Sequence, residues 1–254
     1  MIRLSVVIIT LNEERNIERC LQSVKTVADE IVVADSFSTD RTKEICYAHG
    51  VSFFEKEWMG YSAQKNFAHQ QCSNNWVLSL DADEELSIEL SDSIAEIKKG
   101  TVLPLCKFNR LTNYCGQWIR HGDWYPDRKL RMYDRRNSYW EGIVHEQLVF
   151  PPEEKIILLK GDCFHYSYYS INEHIKQMEK FTTLMAGQAF EKGKRSPAFL
   201  ILFAPLYKFC KSYFFRLGFL DGYFGYLISR ISAQATFLKY IKLRELYSNR
   251  KKTS

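Results

Sequence analysis

A pair of carboxylates follows an apolar run in the first third of the chain. Residues 76–80 are largely apolar and lead directly into Asp81-Ala82-Asp83. In extended backbone, side chains two residues apart project to the same side of the strand. Asp81 and Asp83 can therefore converge on one hard divalent cation, which prefers oxygen ligands, and such a cation can hold a diphosphate. Taken alone, the pattern also fits a solvated acidic loop before a helix capped near Ser87.

Apolar, strand-like runs alternate with helix-like segments through the N-terminal part of the chain. The runs cover 4–9, 30–34, 51–54 and 76–80, and the helix-like segments cover 13–24, 39–48, 62–71 and 87–99. Strands this uniformly apolar are buried on both faces, which predicts an α/β fold with a mostly parallel sheet covered by helices. Because ligands bind beyond the carboxyl ends of such strands, we expect residues 10–13, 35–40 and 81–85 to line one site.

Four motifs in this order and spacing resemble glycosyltransferase family 2. They are Ser5-Val6-Val7-Ile8-Ile9-Thr10-Leu11-Asn12-Glu13-Glu14, Ile31-Val32-Val33-Ala34-Asp35-Ser36-Phe37-Ser38-Thr39-Asp40, Gln64-Lys65-Asn66 and Asp81-Ala82-Asp83. The resemblance covers roughly residues 1–150. It implies a Rossmann-like GT-A fold, a divalent metal (Mg²⁺ or Mn²⁺), and a nucleotide-sugar donor whose anomeric carbon is inverted during transfer.

The resemblance assigns three residues to the nucleoside. Thr10 and Glu13 are expected beside it, and Asp35 is expected against its base. An Asp that follows a buried strand can accept a hydrogen bond from the imide N–H of uracil. The alternative for Asp35 is a structural cap of its own loop, shared with Ser38 and Asp40.

The resemblance also assigns residues to the phosphates, the ribose and the metal. Lys65 is expected to face the nucleotide, where it supplies positive charge. The alternative is an ordinary lysine on the surface of a helix. Asp81 is expected toward the ribose and the metal, and Asp83 is expected to be the direct metal ligand.

An inverting transfer needs a general base. One carboxylate must take the proton from the acceptor hydroxyl as the single displacement proceeds. Residues 139–147 (Tyr139-Trp140-Glu141-Gly142-Ile143-Val144-His145-Glu146-Gln147) resemble a motif of the family subgroup that builds the inner core of bacterial lipopolysaccharide. We predict Glu146 as the base, with Glu141 next and Asp123 or Asp127 behind. The commoner acidic pair of the family is absent.

Three further residues complete the predicted site. His145 could join the metal site, since imidazole binds Mn²⁺-like ions, or could be structural. Residues 121–133 mix aromatic rings with cations, which suits a sugar carrying phosphate or carboxylate groups. Arg128 and Arg131 are the predicted contacts to the acceptor or the diphosphate. Simple packing of Trp124 and Tyr125 is the alternative for the rings.

The C-terminal part of the chain is basic and aromatic. Residues 1–191 carry 22 Lys and Arg against 28 Asp and Glu, whereas residues 192–254 carry 13 against 2. Thirteen Phe and Tyr lie within residues 196–240. The longest uncharged run, residues 196–207, is too short to span a bilayer, so we predict helices that lie in the interface of an anionic membrane. A helical cap on the catalytic domain, or a homo-oligomer interface, is the alternative, and no motif supports nucleic acid as a partner.

The same reading predicts two domains in a cytoplasmic protein. Residues 1–165 are the expected GT-A catalytic domain, divided into nucleotide-sugar binding (1–100) and the acceptor side with the base (101–165). Residues 166–254 are the expected helical, membrane-associating extension, which opens with a capping box at Ser170 and Glu173. The N-terminal apolar run is too short for a secretory signal, and the seven scattered cysteines indicate free thiols.

These observations predict a metal-dependent inverting glycosyltransferase, peripheral on the inner face of the cytoplasmic membrane. The subgroup resemblance implies transfer of a hexose, glucose from UDP-glucose, to a heptose of the lipopolysaccharide or lipooligosaccharide inner core, so the acceptor is a lipid-linked saccharide. Transfer to a polyprenyl phosphate and a non-catalytic membrane adaptor are the alternatives. A sugar-nucleotide pyrophosphorylase is disfavoured because residues 10–13 contain neither glycine nor lysine.

Overall fold

The computed structural model describes residues 2–142 and 146–253, without the side chains of 251–253. The strands are β1 (Leu4–Thr10), β2 (Glu30–Asp35), β3 (Ser52–Glu55), β4 (Trp76–Asp81), β5 (Glu84–Leu86), β6 (Leu105–Tyr114), β7 (Gln117–Ile119), β8 (Asp127–Asp134), β9 (Tyr139–Glu141), β10 (Gln147–Val149) and β11 (Ile156–Tyr168). The α-helices are α1 (Ile17–Val24), α2 (Thr42–Ala48), α3 (Tyr61–Gln70), α4 (Ile88–Lys98), α5 (Ile171–Glu191), α6 (Ala198–Cys210) and α7 (Gly222–Thr253).

The chain divides into two compact units. The first contains residues up to Arg110 together with Asp127–Tyr166, and the second contains Leu111–Pro126 together with the residues from Ser167 onward. The division after Tyr166 lies one residue from the predicted boundary. Residues 111–126, which the sequence analysis placed with the acceptor side, belong to the unit that holds the C-terminal helices.

In the first unit, β1 to β4 form the parallel part of a sheet. β1 pairs in parallel with β2 and β4, and β2 pairs in parallel with β3. The register places Thr10 opposite Asp35 and Ile9 opposite Asp81, so the carboxyl ends of these strands lie side by side. The predicted α/β fold with its parallel sheet is confirmed.

β1 is buried at every position because both of its faces are covered. Val6 and Ile8 belong to a buried cluster with residues of α1 and α4, whereas Val7 and Ile9 belong to a second cluster with Ala68 of α3. Alternate side chains of a strand point to opposite faces, so a strand between two layers of helices is buried on both faces and mostly apolar. This packing fixes the register that brings the strand ends together.

The remaining strands of the first unit extend the sheet in antiparallel fashion. The order across the sheet is β3-β2-β1-β4-β8-β6-β11-β5. β8 is antiparallel to both β4 and β6, and β5 is antiparallel to β11 with Glu84 opposite His165. β9 and β10 form a separate antiparallel pair in which Trp140 faces Leu148.

The second unit is built from helices and a ring cluster. α5 begins with the predicted capping box. The Glu173 backbone N–H donates to Ser170 Oγ, and the Ser170 backbone N–H donates to the Glu173 carboxylate. A five-residue π-helical segment (Lys211–Phe215) continues α6, and a 3₁₀ turn (Gly218–Asp221) leads into α7. A Cβ on Gly225 would stand 1.8 Å from the Gly218 carbonyl oxygen, so only glycine allows α7 to approach this turn.

A helical stretch of the second unit is long and apolar enough to cross a membrane, judged by length and composition alone. Among the described residues this stretch is Ala198–Phe215, with a mean hydropathy of 1.3 over 18 residues and 6% of them buried. This stretch contains most of the uncharged run of residues 196–207, which by itself is too short to span a bilayer. The stretch is longer than that run because the helix continues through Lys208 and Lys211.

Candidate functional site

The loops that follow β1 and β2 are tied to each other. The Asn12 backbone N–H donates to Ser38 Oγ over 2.7 Å, and the Thr39 N–H donates to Asn12 Oδ1 over 2.8 Å. The Glu13 N–H donates to Thr42 Oγ1 over 2.8 Å. These bonds hold the end of β1 next to the end of β2, where the sequence analysis expects the nucleoside.

Asp35 lies at the end of β2 and is fully buried. Its carboxylate accepts hydrogen bonds from the Ser38 backbone N–H, over 2.7 Å, and from the Ser38 hydroxyl. Asp35 therefore caps its own loop in this structure, as the alternative from the sequence anticipates. Thr10, opposite Asp35 in the register, is also buried, and its hydroxyl has no hydrogen-bond partner among the described residues.

Glu13 lies close to other carboxylates, and its pKa is raised. Its Oε2 accepts from Asn16 Nδ2 over 2.7 Å. Burial, followed by the nearby charge of Asp83, raises the pKa of Glu13 to about 7. The three strand ends therefore gather carboxylates that repel one another, which is an arrangement that binding of a cation would relieve.

Asp81, the last residue of β4, lies between two cations. Lys65 Nζ is 3.2 Å from Asp81 Oδ1, and Arg131 Nη2 is 3.0 Å from Asp81 Oδ2. Burial alone would raise the pKa of this carboxyl, but the two cations outweigh burial and hold the pKa well below its usual range. Asp81 is therefore a fixed anion.

Glu84 supports this arrangement, and the sequence analysis did not select it. It is buried, and its Oε2 accepts from the Asp81 backbone N–H over 2.9 Å. Its Oε1 lies 3.4 Å from Arg131 Nη2 and 3.3 Å from Arg110 Nη1. Glu84 thus joins the two arginines to the strand end. Its position three residues after Asp81 was a usable sign, since it continues the acidic run.

Asp83 lies beside a histidine that the sequence analysis also missed. His165 Nε2 is 3.2 Å from Asp83 Oδ2, and the Tyr166 backbone N–H donates to the Asp83 carbonyl over 3.0 Å. The antiparallel pairing of β5 with β11 produces this contact, because it sets His165 opposite Glu84. The predicted ligand His145 lies outside the described residues.

The residues around Asp83 suit a divalent cation. Carboxylate oxygen and imidazole nitrogen are donors that Mg²⁺-like and Mn²⁺-like ions accept, and Asp83 and His165 are both partly exposed. The oxygens of Asp81 already face Lys65 and Arg131, so Asp83 is the better placed ligand of the pair. The part of the chain that the structure describes holds no preformed group of three or more His, Cys, Asp or Glu side chains that could bind a metal.

Lys65 links Asp81 to the predicted base. It lies on α3, is 0% exposed, and its Nζ is 2.9 Å from Glu146 Oε1. The alternative of a surface lysine is therefore wrong. The same Nζ lies 4.9 Å from the centre of the Trp140 ring. Burial would raise the pKa of Glu146, but the charge and hydrogen bond of Lys65 reverse the effect and lower it.

Asn66, the next residue of α3, holds the strand that precedes Glu146. Its Nδ2 donates to the Trp140 carbonyl over 2.7 Å, and its Oδ1 accepts from the Trp140 N–H over 2.7 Å. Ser62 Oγ donates to the Gly142 carbonyl over 2.7 Å. Glu141, the second candidate base, is exposed and lies opposite Gln147 in the β9–β10 pair. The Gln64-Lys65-Asn66 motif thus positions β9 through Asn66, and it positions the carboxylates of Asp81 and Glu146 through Lys65.

A cavity of about 520 Å³ opens beside Glu146. The residues that line it are mostly basic or apolar: Arg110, Arg128, Lys129, Leu130, Arg131, Trp140, Glu146, Gln147 and Leu148. The two predicted arginines differ in role. Arg131 is buried against Asp81 and Glu84, whereas Arg128 is exposed and makes no ion pair with any described residue.

The remaining candidate bases are engaged in ion pairs. Asp127 lies 2.9 Å from Arg110 Nη2 and 3.0 Å from Lys129 Nζ. In the second unit, Asp123 lies 2.6 Å from Lys208 Nζ and 3.0 Å from Arg216 Nη1. Each of these carboxylates is held by two cations, which is typical of a structural role.

Trp124 of the 121–133 segment is a packing residue. Trp124 packs in the second unit with Tyr114, Tyr168 and His174, at ring-centre distances of 5.5 to 5.9 Å. The packing alternative is thus confirmed for Trp124. Trp140, which lies outside that segment, is instead the ring that faces Lys65 and Arg131.

Comparison with known proteins identifies the family. Residues 5–148 match the model of the family described as Glycosyl transferase family 2. The chain belongs to glycosyltransferase family 2. Its α/β architecture is accordingly the GT-A type that the resemblance implied, followed by C-terminal helices. It is a glycosyltransferase, and the matched range contains Glu13, Lys65, Asp81, Asp83 and Glu146.

Two sequence relatives and one solved structure are similar to this family-2 glycosyltransferase. It is 30% identical over 254 residues to the lipopolysaccharide core biosynthesis glycosyltransferase LpsC of Rhizobium meliloti, covering 96% of this chain and 93% of LpsC. It is 34% identical to an uncharacterized glycosyltransferase of Rickettsia typhi, covering 97% of this chain and 88% of that protein. Among solved structures, S. aureus TarS is similar at 16% identity and a TM-score of 0.46, covering 72% of this chain and 40% of TarS.

Proposed function

We propose that this glycosyltransferase transfers a hexose, glucose from UDP-glucose, to a heptose of the lipopolysaccharide or lipooligosaccharide inner core with inversion at the anomeric carbon. The observation that carries the proposal is the buried Lys65, which contacts Asp81 on the expected donor side and Glu146 beside the cavity. The relative LpsC, named for lipopolysaccharide core biosynthesis and matched over nearly the whole of both chains, supports the acceptor class.

The donor side is assigned to the strand ends of the first unit. Thr10 and Glu13 would contact the nucleoside, and the Asp35 carboxylate would exchange a bond to Ser38 for a bond to the base. Asp83 and His165 would hold a Mg²⁺ or Mn²⁺ ion, with Asp81 beside it. Such an ion, when bound, neutralises charge that develops on the leaving diphosphate.

Glu146 is the proposed base. Its pKa lies below the ordinary value because of Lys65, so the carboxylate is ionised and ready to accept a proton at neutral pH. The acceptor oxygen forms its bond to the anomeric carbon while the bond from that carbon to the diphosphate oxygen breaks, and the hydroxyl proton passes to Glu146. UDP leaves with the bonding electrons. Glu141 is the reserve candidate because it is exposed and without an ion pair in the described chain.

The acceptor is assigned to the cavity beside Glu146. Arg128, exposed and free of ion pairs among the described residues, is suited to a phosphate or carboxylate on the acceptor saccharide. Arg131 is committed to Asp81 and Glu84, so we assign it to positioning these carboxylates instead. The acceptor would be lipid-linked, which would place the enzyme on the inner face of the cytoplasmic membrane.

One observation favours a second acceptor class. Ala198–Phe215 is long and apolar enough to cross a membrane, and transfer to a polyprenyl phosphate is an activity that is often coupled to membrane-spanning helices. The donor chemistry and the base would be unchanged. The two acceptors are separable because only a polyprenyl product lacks core sugars.

Two measurements test the proposal. Calorimetric titration with UDP, ADP and GDP, with and without Mn²⁺ or Mg²⁺, is expected to show metal-dependent binding of UDP alone. Incubation with labelled UDP-glucose and either heptose-terminated core lipopolysaccharide or polyprenyl phosphate is expected to label the first. Label in the polyprenyl product would replace the acceptor and keep the enzyme. Absence of nucleotide binding would leave a non-catalytic membrane adaptor.

A further inference from the structure

The outward face of α6 is apolar at helical spacing. Phe199, Leu202, Phe203, Leu206 and Tyr207 recur at intervals of three, one, three and one residues, and all are exposed. This is the spacing of the stripe by which a helix normally faces a core. The opposite face of α6 packs on α7, and no residue of α6 is buried. The exposed stripe therefore lacks a covering surface among the described residues of its own unit.

The apolar face continues beyond α6. Phe214 and Phe215 end the π-helical segment, and Leu220 and Tyr223 follow around the turn into α7. Phe215 is 78% exposed and Leu202 is 68% exposed. Monomeric soluble proteins rarely expose contiguous patches of this kind unless the patch contacts a partner or a membrane. We name α6 together with Phe214, Phe215, Leu220 and Tyr223 the exposed aromatic face.

Basic residues flank the exposed aromatic face in the sequence. The second unit carries 16 Lys and Arg against six Asp and Glu, a net charge of +10. Lys194 and Arg195 precede α6, and Lys208, Lys211 and Arg216 follow its stripe. Of the six acidic residues, Asp123 and Asp221 are held by cationic or imidazole groups of the same unit. An exposed apolar face on a unit of high positive charge matches a bilayer that carries anionic lipid.

We propose that the exposed aromatic face inserts its rings into the headgroup boundary of an anionic membrane, with Lys194 and Lys211 at the lipid phosphates. The helices lie along the surface, because α6 packs along α7 and is not surrounded by lipid on all sides. This inference deepens the membrane location given above, and it rests on the proposed function for that location.

Charge selects lipid over a second copy of the chain. A dimer through this face would bring together two units of net charge +10, which repel each other. An anionic bilayer instead attracts each Lys or Arg near its surface. Phe and Tyr also favour the boundary, where an apolar ring meets polar headgroups.

Vesicle flotation of the full chain tests the inference. Wild type is expected to float with phosphatidylcholine vesicles that contain phosphatidylglycerol, and far less with phosphatidylcholine alone. Phe203→Ser combined with Leu206→Ser is expected to weaken the partition coefficient about tenfold or more, because two exposed apolar side chains no longer leave water. Lys194→Gln with Lys211→Gln is expected to weaken binding to the anionic vesicles only.

The matched control substitutes exposed apolar residues of the first unit. Ile88 and Val102 are 83% and 82% exposed, and Ile88→Ser with Val102→Ser is expected to float like wild type. Equal loss in the control, or no dependence on Phe203 and Leu206, would overturn the inference. A concentration-dependent dimer in sedimentation equilibrium that is lost with Phe203→Ser and Leu206→Ser, together with unchanged flotation, would assign the face to a second copy.

Two further measurements distinguish surface binding from a membrane-spanning helix and from failure of the proposed function. An alkaline carbonate wash is expected to release the protein from vesicles, and retention would show that Ala198–Phe215 spans the bilayer instead. UDP titration of the same variants is expected to match wild type. Failure of the wild type to float, with intact UDP binding, would therefore overturn the membrane inference alone. Flotation without UDP binding would overturn the proposed function alone.

Discussion

Lys65 Nζ lies 2.9 Å from Glu146 Oε1, although the two residues are 81 positions apart in the chain. The same ammonium lies 3.2 Å from Asp81 Oδ1. One buried cation thus serves a carboxylate on the expected donor side and the carboxylate proposed to deprotonate the acceptor. A change on either side of Lys65 would alter the electrostatic environment of the other.

Replacing Lys65 by Met tests this shared role. Without the ammonium, burial dominates and the pKa of Glu146 rises, so the acidic limb of the activity profile moves to higher pH. We expect activity at neutral pH to fall by about tenfold to a hundredfold. The measurement is kcat as a function of pH, with Lys43→Met as control, since Lys43 is partly exposed and pairs only with Glu55 in the described chain. An acidic limb that did not move would separate Lys65 from the base.

Glu146→Gln tests the base itself. The amide is nearly isosteric but cannot accept the proton, so transfer is expected to fall about a hundredfold to ten-thousandfold while UDP binding is kept. Glu141→Gln, an exposed carboxyl on the neighbouring strand, is the matched control and is expected to retain activity. Near-normal transfer by Glu146→Gln combined with loss in Glu141→Gln would exchange the two roles.

Asp83→Ala and His165→Ala test the metal assignment. We expect Asp83→Ala to abolish Mn²⁺-dependent binding of UDP and His165→Ala to weaken it about tenfold or more. Calorimetric titration with and without Mn²⁺ measures both effects. Asp92→Ala changes an exposed carboxyl of α4 and controls for net charge. Unchanged metal dependence in Asp83→Ala would remove this residue from the site.

Glu13 predicts a pH dependence of stability in metal-free protein. Its pKa is about 7 in the folded state against an ordinary value of 4.5, so the folded state binds the proton more tightly than the unfolded state. The free energy of unfolding is therefore expected to fall as pH rises from about 4.5 to about 7. Glu13→Gln should remove about 1–2 kcal/mol of this fall in the free energy of unfolding. Urea unfolding with chelator at acidic and alkaline pH checks it; equal slopes in the two proteins would contradict it.

Arg131 and Arg128 form a matched pair of cavity arginines, of which the first is expected to affect stability and the second acceptor binding. Arg131→Met leaves the buried carboxylates of Asp81 and Glu84 short of a cation, so we expect it to lower the free energy of unfolding by about 3–5 kcal/mol. Arg128→Met is expected to leave stability unchanged and to raise KM for a phosphorylated acceptor. Denaturant unfolding and acceptor titration separate them. A stable Arg131→Met would show that Lys65 and Arg110 suffice.

The positions of the strand ends and the order of the motifs are predictable from the sequence, because local patterns specify both. Uniformly apolar runs predict buried parallel strands, and the register then brings residues 10–13, 35–40 and 81–85 to one edge. The capping box at Ser170 is likewise a local pattern.

Local sequence patterns do not predict contacts between residues that are distant in the chain. His165 reaches Asp83 through antiparallel pairing of β5 with β11, and no local pattern announces that pairing. The residue type of Arg131 predicts a contact to phosphate, but its burial against Glu84 follows only from the assembled sheet. The membership of residues 111–126 in the helical unit follows from ring packing around Tyr114, which composition does not specify.

Product stereochemistry tests the central claim most directly. Purified enzyme would be incubated with UDP-glucose, Mn²⁺ and heptose-terminated core oligosaccharide, and the anomeric configuration of the new linkage read by NMR. UDP-glucose is α-linked, so a single displacement with Glu146 as base predicts a β-linked glucose that is absent with Glu146→Gln. An α-linked product, or equal product from wild type and Glu146→Gln, would contradict the account.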